Sequence, residues 1–117
     1  MARLNYVELP VRDVTAQKEF YSSVFGWKFE DFGPDYAAMT TGDVDVGLNG
    51  DIEQATAQLL PVIEVEDLED ALAKVEAGGG TVTMPIFAFP GGRRFHFRDP
   101  HGHELAVMVP DVSSIAT

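Results

Sequence analysis

The chain has 117 residues, 45% of them hydrophobic, which is enough for the core of one ordinary domain. Its 19 acidic and 8 basic residues give a net charge of −11, which argues against nucleic acid or an anionic membrane as a partner. Cysteine is absent, so disulfides and thiolate chemistry are excluded, and any catalytic metal would need histidine and carboxylate ligands. No apolar run reaches the roughly 20 residues of a membrane span, and we expect a cytoplasmic protein.

The charges are unevenly distributed along the sequence. Twelve acidic residues and no lysine or arginine lie between Phe29 and Ala73, whereas Arg93, Arg94 and Arg98 lie near the C-terminus with all three histidines. The simpler interpretation of the acidic stretch is a solvated surface. The alternative is a surface that attracts a cationic ligand or partner.

A repeat with a spacing of 54 residues divides the chain into two modules. Residues 11–14 and 65–68 share one pattern, each after an extended apolar run and before an amphipathic helix. Gly26 and Gly80 keep the same spacing, and each is expected to take the left-handed conformation that ends a helix. The predicted boundaries are module 1 at about 4–48, a link at 49–58, module 2 at about 59–110 and a loose tail at 111–117.

Module 1 is predicted to contain a strand, a helix and a meander of strands. The first strand covers residues 6–11, and Asp13 or Thr15 caps the helix that follows. The helix face expected to point inward holds four residues with i,i+4 spacing: Phe20, Val24, Tyr21 and Phe25. Further strands are expected at 27–29, 36–40 and 44–48.

Module 2 repeats this order. Its first strand is expected at residues 61–65, and a strand-like segment follows the helix at 81–83. The apolar stripe of the helix comprises Leu68, Ala71, Leu72 and Val75. Residues 90–93 are expected to form a flexible loop, and two alternating strands at 95–98 and 104–109 are joined by a tight turn at 99–102. The elements predict an α+β domain.

Three short motifs carry a resemblance to a known superfamily. They are Glu8-Leu9-Pro10-Val11-Arg12-Asp13, Phe20-Tyr21 with Phe25-Gly26-Trp27, and Phe97-Arg98-Asp99-Pro100-His101-Gly102. With the paired βαβββ modules, they resemble the vicinal oxygen chelate superfamily, which includes glyoxalase I, extradiol dioxygenases, and fosfomycin and bleomycin resistance proteins. Within that superfamily, the chain resembles the small proteins described as related to lactoylglutathione lyase. The resemblance implies a curved mixed sheet around a cup, with helices on the outer face, and a homodimer whose modules pair within one chain or by swapping.

The superfamily's metal-ligand positions are substituted in this chain. The resemblance places Tyr6, Leu60 and Ala106 at three of the four positions. The fourth lies near one of three residues: Asp43, Asp45 or Gly47. Leucine and alanine carry no donor atom, and a neutral tyrosine is a poor ligand for a divalent cation. We therefore predict no cofactor and no metal site. His101 and His103 have a spacing that metal ligands use, but surface histidines are the simpler interpretation.

Alternation along the strands selects the residues that face the implied cup. The predicted ligand-binding set is Tyr6, Glu8, Leu60, Val62, Arg94, His96, Ala106 and Met108. An apolar floor with a few polar groups is typical of a small-molecule site. Glu8 and His96 are the candidate catalytic residues, because a carboxylate beside a histidine makes it a stronger base and orients its ring. The alternative is a structural pair between Glu8 and Arg94 or Arg98.

Three functions remain open. The first is metal-free binding of a small, partly apolar molecule. The second is a lyase, isomerase or dioxygenase-type enzyme that uses Glu8 and His96 for proton transfer, or a relocated metal. The third is sequestration of a cationic antibiotic such as bleomycin, motivated by the net charge of −11 and by exposed aromatic candidates, Trp27 and Tyr36. The aromatic residues offer modest support for a homodimer: Phe25, Trp27, Phe29, Phe32, Phe87, Phe89, Phe95 and Phe97.

Overall fold

The structure is a computed structural model that describes residues 2–41, 43–51 and 53–111, so most of the predicted tail lies outside the described residues. Its elements are β1 (Arg3–Pro10), α1 (Val14–Phe25), β2 (Glu30–Asp31), β3 (Tyr36–Met39), β4 (Asp45–Asn49), β5 (Leu60–Glu64), α2 (Leu68–Ala77), β6 (Thr81–Phe89), β7 (Gly92–Arg98) and β8 (Glu104–Pro110). This order confirms the predicted α+β class and the repeated strand, helix and strand meander. The chain forms two compact units, which we call the first unit (residues 5–60) and the second unit (residues 2–4 and 61–111).

The sheet of the first unit has the strand order β2-β3-β4-β1. β1 runs parallel to β4, with Glu8 opposite Gly47, and β3 pairs antiparallel with β4. One face of this sheet packs against α1 through a buried cluster of Val14, Ala37 and Leu48. Because side chains alternate along a strand, Glu8 and its neighbours on β3 and β4 project from the other face.

The ends of α1 follow the sequence prediction. Asp13 is the N-cap, and its side chain accepts a hydrogen bond of 3.0 Å from the backbone N–H of Ala16. Gly26 has a φ of 72°, and its N–H bonds to the carbonyl of Ser22, so the helix ends in the left-handed conformation that glycine favours.

The predicted inward face of α1 is wrong for three of its four residues, and only Tyr21 is half-buried as expected. Phe20, Val24 and Phe25 are 55%, 54% and 60% exposed. The stripe that faces the sheet begins instead at Val14, whose burial in the core fixes the rotation of the helix. It continues at the i+3, i+4 and i+7 positions, which are the half-buried residues Gln17, Lys18 and Tyr21.

The segment that follows α1 also differs from the prediction. Residues 27–29 do not form a strand, and the pairing begins later, at β2. Trp27 stacks on Tyr21 and contacts Phe25, while Phe29 packs against the core cluster of the first unit. These ring contacts engage the aromatic side chains outside the strand ladder, which explains why a segment with high strand propensity stays irregular.

The sheet of the second unit has the strand order β5-β8-β7-β6. β5 runs parallel to β8, and β7 pairs antiparallel with β8 and β6. One face packs against α2 around the buried residues Leu68, Phe95 and Val107. The stripe predicted for α2 is confirmed, because Ala71, Leu72 and Val75 pack against this cluster.

Two glycine segments in the second unit depart from expectation. α2 ends at Ala77, so the residue with a positive φ is Gly79, at 99°, and the predicted left-handed conformation of Gly80 is wrong. Residues 90–93 form no flexible loop either. Pro90 and Gly91 make a two-residue connection between β6 and β7, in which Gly91 has a φ of 114°.

The predicted turn at residues 99–102 is confirmed. Asp99 Oδ1 accepts hydrogen bonds from the backbone N–H groups of His101 and His103, at 2.9 and 3.0 Å. These bonds hold the pKa of the Asp99 carboxyl below its ordinary value. Both histidines are exposed, in agreement with surface positions. Neither helix of the described chain has the length and apolar character that a membrane-spanning helix needs.

Candidate functional site

Glu8 is a buried carboxylate at the centre of a polar network in the first unit. It is 4% exposed, and both of its oxygens accept hydrogen bonds from side chains of the same sheet. The Tyr36 hydroxyl donates to Oε2 at 3.0 Å, and the Asn49 amide donates to Oε1 at 3.0 Å. The side-chain Oδ1 of Asn49 accepts from the backbone N–H of Asp51, which orients the amide toward Glu8. A buried carboxylate needs such donors, since losing one partner typically costs about 1–3 kcal/mol.

Tyr6 extends this network by a second phenol. The hydroxyls of Tyr6 and Tyr36 are in hydrogen-bond contact, and because the proton of Tyr36 points to Glu8, Tyr6 is the donor between them. Both hydroxyls lie over Gly47 on β4, where an added Cβ atom would overlap them. Gly47 therefore provides the space in which the two phenols meet.

The proton of Tyr36 is held firmly. Burial raises the pKa of the Tyr36 hydroxyl well above its ordinary range, and the negative charge of Glu8 and the contact with Tyr6 raise it further. Tyr36 therefore stays a neutral donor to Glu8 at any physiological pH. The described geometry supports a fixed hydrogen-bond chain from Tyr6 through Tyr36 to Glu8 and Asn49.

The face of the second unit opposite α2 carries two rows of side chains that cross its strands. In the first row Val62 pairs with Ala106, and Ala106 pairs with His96. In the second row Glu64 pairs with Met108, Met108 with Arg94, and Arg94 with Phe87 on β6. Phe95 and Val107, the neighbours of these residues along the strands, face α2, so the two rows project from the other face.

His96 is 2% exposed and has a carboxylate partner within its own unit. Its Nδ1 lies 3.2 Å from Glu104 Oε2, which also accepts a hydrogen bond of 3.3 Å from the Thr83 hydroxyl. The Phe87 ring lies 5.9 Å from the imidazole, measured between centroids. A carboxylate on one ring nitrogen fixes the orientation of the imidazole, as general acid–base histidines require.

Arg94 has aromatic neighbours and no carboxylate partner among the described residues of its own unit. Its guanidinium carbon lies 5.2 Å from the centroid of the Phe87 ring and 5.0 Å from that of the Phe89 ring. Contacts of this kind contribute roughly 0.5–2 kcal/mol each. The Nε atom is buried and has no hydrogen-bond partner among the described residues.

The inherited metal-ligand positions do not fit a divalent cation. Tyr6 is a hydrogen-bond donor to a second phenol, while Leu60 and Ala106 are fully buried and carry no donor atom. Gly47, one of three candidates for the fourth position, has no side chain, and the other two are Asp43 and Asp45. Asp45 Oδ1 accepts a hydrogen bond of 2.7 Å from the backbone N–H of Thr41. Within the described residues, no three His, Asp or Glu side chains come together as a metal-binding group.

The predicted ligand-binding residues are divided between the two units. Tyr6 and Glu8 lie on the first unit's sheet face opposite α1, and Leu60 begins β5. The other five lie in the two rows of the second unit: Val62, Arg94, His96, Ala106 and Met108. A couple between Glu8 and His96 stays a prediction, and each of these residues has a further polar partner in its own unit.

Sequence reasoning missed Tyr36, Asn49 and Glu104 as partners in these networks. Tyr36 was expected to be exposed with Trp27, but both are half-buried, because Tyr36 bonds to Glu8 and Trp27 stacks on Tyr21. The alternation of β3 and β4 contains the missing signal, since it places Tyr36 and Asn49 on one face. The register that sets them beside Glu8 depends on strand pairing.

Comparison with known proteins agrees with this architecture. A family model described as Glyoxalase/Bleomycin resistance protein/Dioxygenase superfamily matches residues 3–107. The curated protein named "Putative glyoxylase CFP32" from Mycobacterium bovis is 34% identical over 115 residues, an alignment that covers 84% of this chain and 42% of that protein. A protein of the same name from Mycobacterium tuberculosis matches equally. The chain thus spans less than half the length of these curated relatives.

Two crystal structures show the same fold at lower identity. A glyoxalase/bleomycin resistance protein/dioxygenase superfamily member from Vibrio splendidus 12B01 has a TM-score of 0.69 and 19% identity, covering 95% of this chain and 100% of that one. The Mn(II)-bound glyoxalase from Novosphingobium aromaticivorans has a TM-score of 0.69 and 24% identity, covering 93% of this chain and 40% of that one. With the family match over nearly its whole length, this chain belongs to the glyoxalase/bleomycin resistance protein/dioxygenase superfamily.

Proposed function

We propose that this chain binds a small, partly apolar molecule on the second unit's sheet face opposite α2, without the metal of its superfamily. The observation that carries the proposal is the composition of the two rows on that face. Val62 and Ala106 are buried and form an apolar floor, half-buried Met108 adds apolar surface beside it, and His96 and Arg94 are the polar groups among them. Small-molecule sites have this combination, in which apolar side chains supply contact area and a few polar groups fix orientation.

The metal-free part of the proposal is supported by the donor chemistry of the substituted positions. Leu60 and Ala106 cannot ligate, and the Tyr6 hydroxyl is engaged as a donor to Tyr36. Elemental analysis of protein purified without a histidine tag tests this directly. We expect far less than one tightly held divalent ion per chain, and one equivalent that survives dialysis would overturn this part.

Thermal-shift screening tests the binding itself. We expect some hydrophobic or aromatic compounds to raise the unfolding temperature, because a ligand that binds only the folded state stabilises it. The Met108→Arg variant, which introduces a charge into the second row, should lose the shift. Val44→Arg, at an exposed position just before β4 in the first unit, is the matched control and should keep it. A folded wild-type protein that responds to no compound would contradict the proposal.

A second candidate function is proton transfer by an enzyme of the lyase or isomerase type. The specific observation is the His96–Glu104 pair, whose geometry orients the imidazole of a nearly inaccessible histidine. Once a ligand is identified, deuterium uptake into its acidic C–H positions in D₂O tests this function. His96→Gln should abolish the uptake while the ligand still binds, and uptake that persists in this variant would exclude His96 as the base.

The assembly and the third function are further proposals. We infer a homodimer, supported by the exposed apolar surface that Phe20, Val24 and Phe25 form on α1. Light scattering with size-exclusion chromatography should give twice the chain mass, and a monomer at all concentrations would refute it.

Sequestration of a cationic antibiotic stays a prediction, for which a bleomycin titration at low salt is the test.

A further inference from the structure

From the environment of Arg94 we infer that the ligand of the second unit carries an oxyanion, a carboxylate or a phosphoryl group, on an aromatic or apolar body. The inference rests on the proposed small-molecule function and adds the chemical class of the ligand. The guanidinium contacts two phenylalanine rings on β6, Phe87 and Phe89, and Arg94 has an apolar neighbour, Met108, on β8.

Arg94 differs from the other basic residues of the chain in combining burial with the lack of a described carboxylate partner in its unit. Lys18 pairs with Asp31, Lys74 with Asp70 and Arg93 with Glu69. The four others are exposed to solvent: Arg3, Arg12, Lys28 and Arg98. Arg94 makes no such pair with a carboxylate among the described residues of its own unit, although the chain has 19 acidic residues and only 8 basic ones. An acidic protein that leaves a half-buried guanidinium without a carboxylate has a position suited to an external one.

Two phenylalanine rings lie within cation–π distance of the Arg94 guanidinium, and its buried Nε has no acceptor among the described residues. Guanidinium groups bind carboxylate and phosphate oxygens through parallel N–H donors, and the ring contacts leave these donors available for such an oxyanion. The rings and Met108 provide the surface on which the apolar body of the ligand would lie.

Arg93 provides the internal control. It precedes Arg94 on β7, but its side chain projects to the α2 side, where it donates a hydrogen bond of 2.7 Å to Glu69. Replacing Arg93 removes the same charge from the chain as replacing Arg94 does. Long-range electrostatics therefore change equally in the two variants, and only a local contact with the ligand separates them.

The experiment compares three naphthalene probes by calorimetric titration: 2-naphthoate, 2-naphthyl phosphate and the uncharged 2-naphthamide. We expect at least one of the anionic probes to bind about tenfold or more tightly than the amide at low salt, with the advantage shrinking as salt increases. The net charge of −11 repels anions, so a preference for them cannot come from the overall field. Whichever anion binds more tightly identifies the oxyanion as carboxylate or phosphoryl.

Arg94→Gln should reduce the affinity for the preferred anion to that for the amide, while Arg93→Gln leaves both unchanged. Arg94→Lys keeps the charge but loses the paired donors, and it should give an intermediate affinity. If Arg94→Gln does not fold, the comparison of probes on the wild-type protein and the affinity of Arg94→Lys still test the inference. Equal binding of the charged and uncharged probes overturns the inference and leaves the proposed function standing. Failure of every probe to bind the folded wild-type protein overturns both.

Discussion

The hydroxyl of Tyr36 donates a hydrogen bond of 3.0 Å to Oε2 of Glu8, a carboxylate that is 4% exposed. This contact links β3 to β1 across β4, so side chains of three predicted strands belong to one polar network. It also explains how a buried acid is tolerated at a sheet face, since both of its oxygens receive donors.

Tyr36→Phe should lower the free energy of unfolding by about 1–3 kcal/mol, because it leaves a buried carboxylate oxygen and the Tyr6 hydroxyl without their partner. Urea unfolding followed by circular dichroism measures the change. Tyr21→Phe is the control, since Tyr21 contributes ring contacts to Phe25 and Trp27 and its hydroxyl takes part in no described hydrogen bond. Equal losses in the two variants would show that the Tyr36 hydroxyl has no special role.

Gly47→Ala should also destabilise the first unit, by about 1–3 kcal/mol, because the new methyl group overlaps the two tyrosine hydroxyls. Combining it with Tyr6→Phe and Tyr36→Phe removes both obstructing oxygens. Gly47→Ala should cost less in the Tyr6→Phe/Tyr36→Phe background than in the wild-type chain, which a double-mutant cycle of urea unfolding measures when the two Phe substitutions are treated as one change. Simple additivity would mean that Gly47 does not set the space for the phenols.

The alkaline stability of the chain should depend on Tyr36. Burial and the charge of Glu8 raise the pKa of this phenol in the folded state above its ordinary value of 10.0. The folded state therefore holds the proton more tightly than the unfolded state, so this contribution is complete below pH 10.0 and is lost as the pH rises above it. Absorbance titration at alkaline pH should show that Tyr36 ionises only with unfolding. In Tyr36→Phe, this late, cooperative step should be missing.

The fold was largely predictable because its signals are local. The cap at Asp13, the end of α1 at Gly26 and the stripe of α2 all follow from residue type and spacing within one element. The rotation of α1 was not predictable, because its more apolar side, with Phe20, Val24 and Phe25, is the exposed one, and burial of Val14 in the core fixes the rotation instead. Only tertiary packing contains that information.

For the candidate site, the sequence predicted only which face of its strand each residue occupies. Alternation places Arg94, His96 and Met108 on faces that the pairing brings into adjacent rows. The partners of these residues depend on register and could not be read from alternation: Glu104 beside His96, and Phe87 and Phe89 beside Arg94. The bulges that shift the register of β6 between Val82 and Phe87 are likewise invisible in the sequence pattern.

Substitutions on α1 test its rotation. Val24→Gln should change the free energy of unfolding of the isolated chain by no more than about 0.5 kcal/mol, because Val24 is already exposed. In α2, Leu68→Ala should cost about 2–5 kcal/mol, because Leu68 is 1% exposed in the core. Thermal and urea unfolding at low protein concentration give both values. A large loss of unfolding free energy in Val24→Gln would contradict this rotation and support the inward face that the sequence predicted.

The most direct test of the account is the binding of a ligand from the screen before and after removal of divalent metal ions. The affinity of protein treated with EDTA, dialysed and verified by elemental analysis should equal that of untreated protein, because the substituted positions offer no metal-ligand set. The Met108→Arg variant should lose binding under both conditions. Loss of binding on chelation and its recovery on adding one equivalent of Mn²⁺ or Zn²⁺ would contradict a metal-free site.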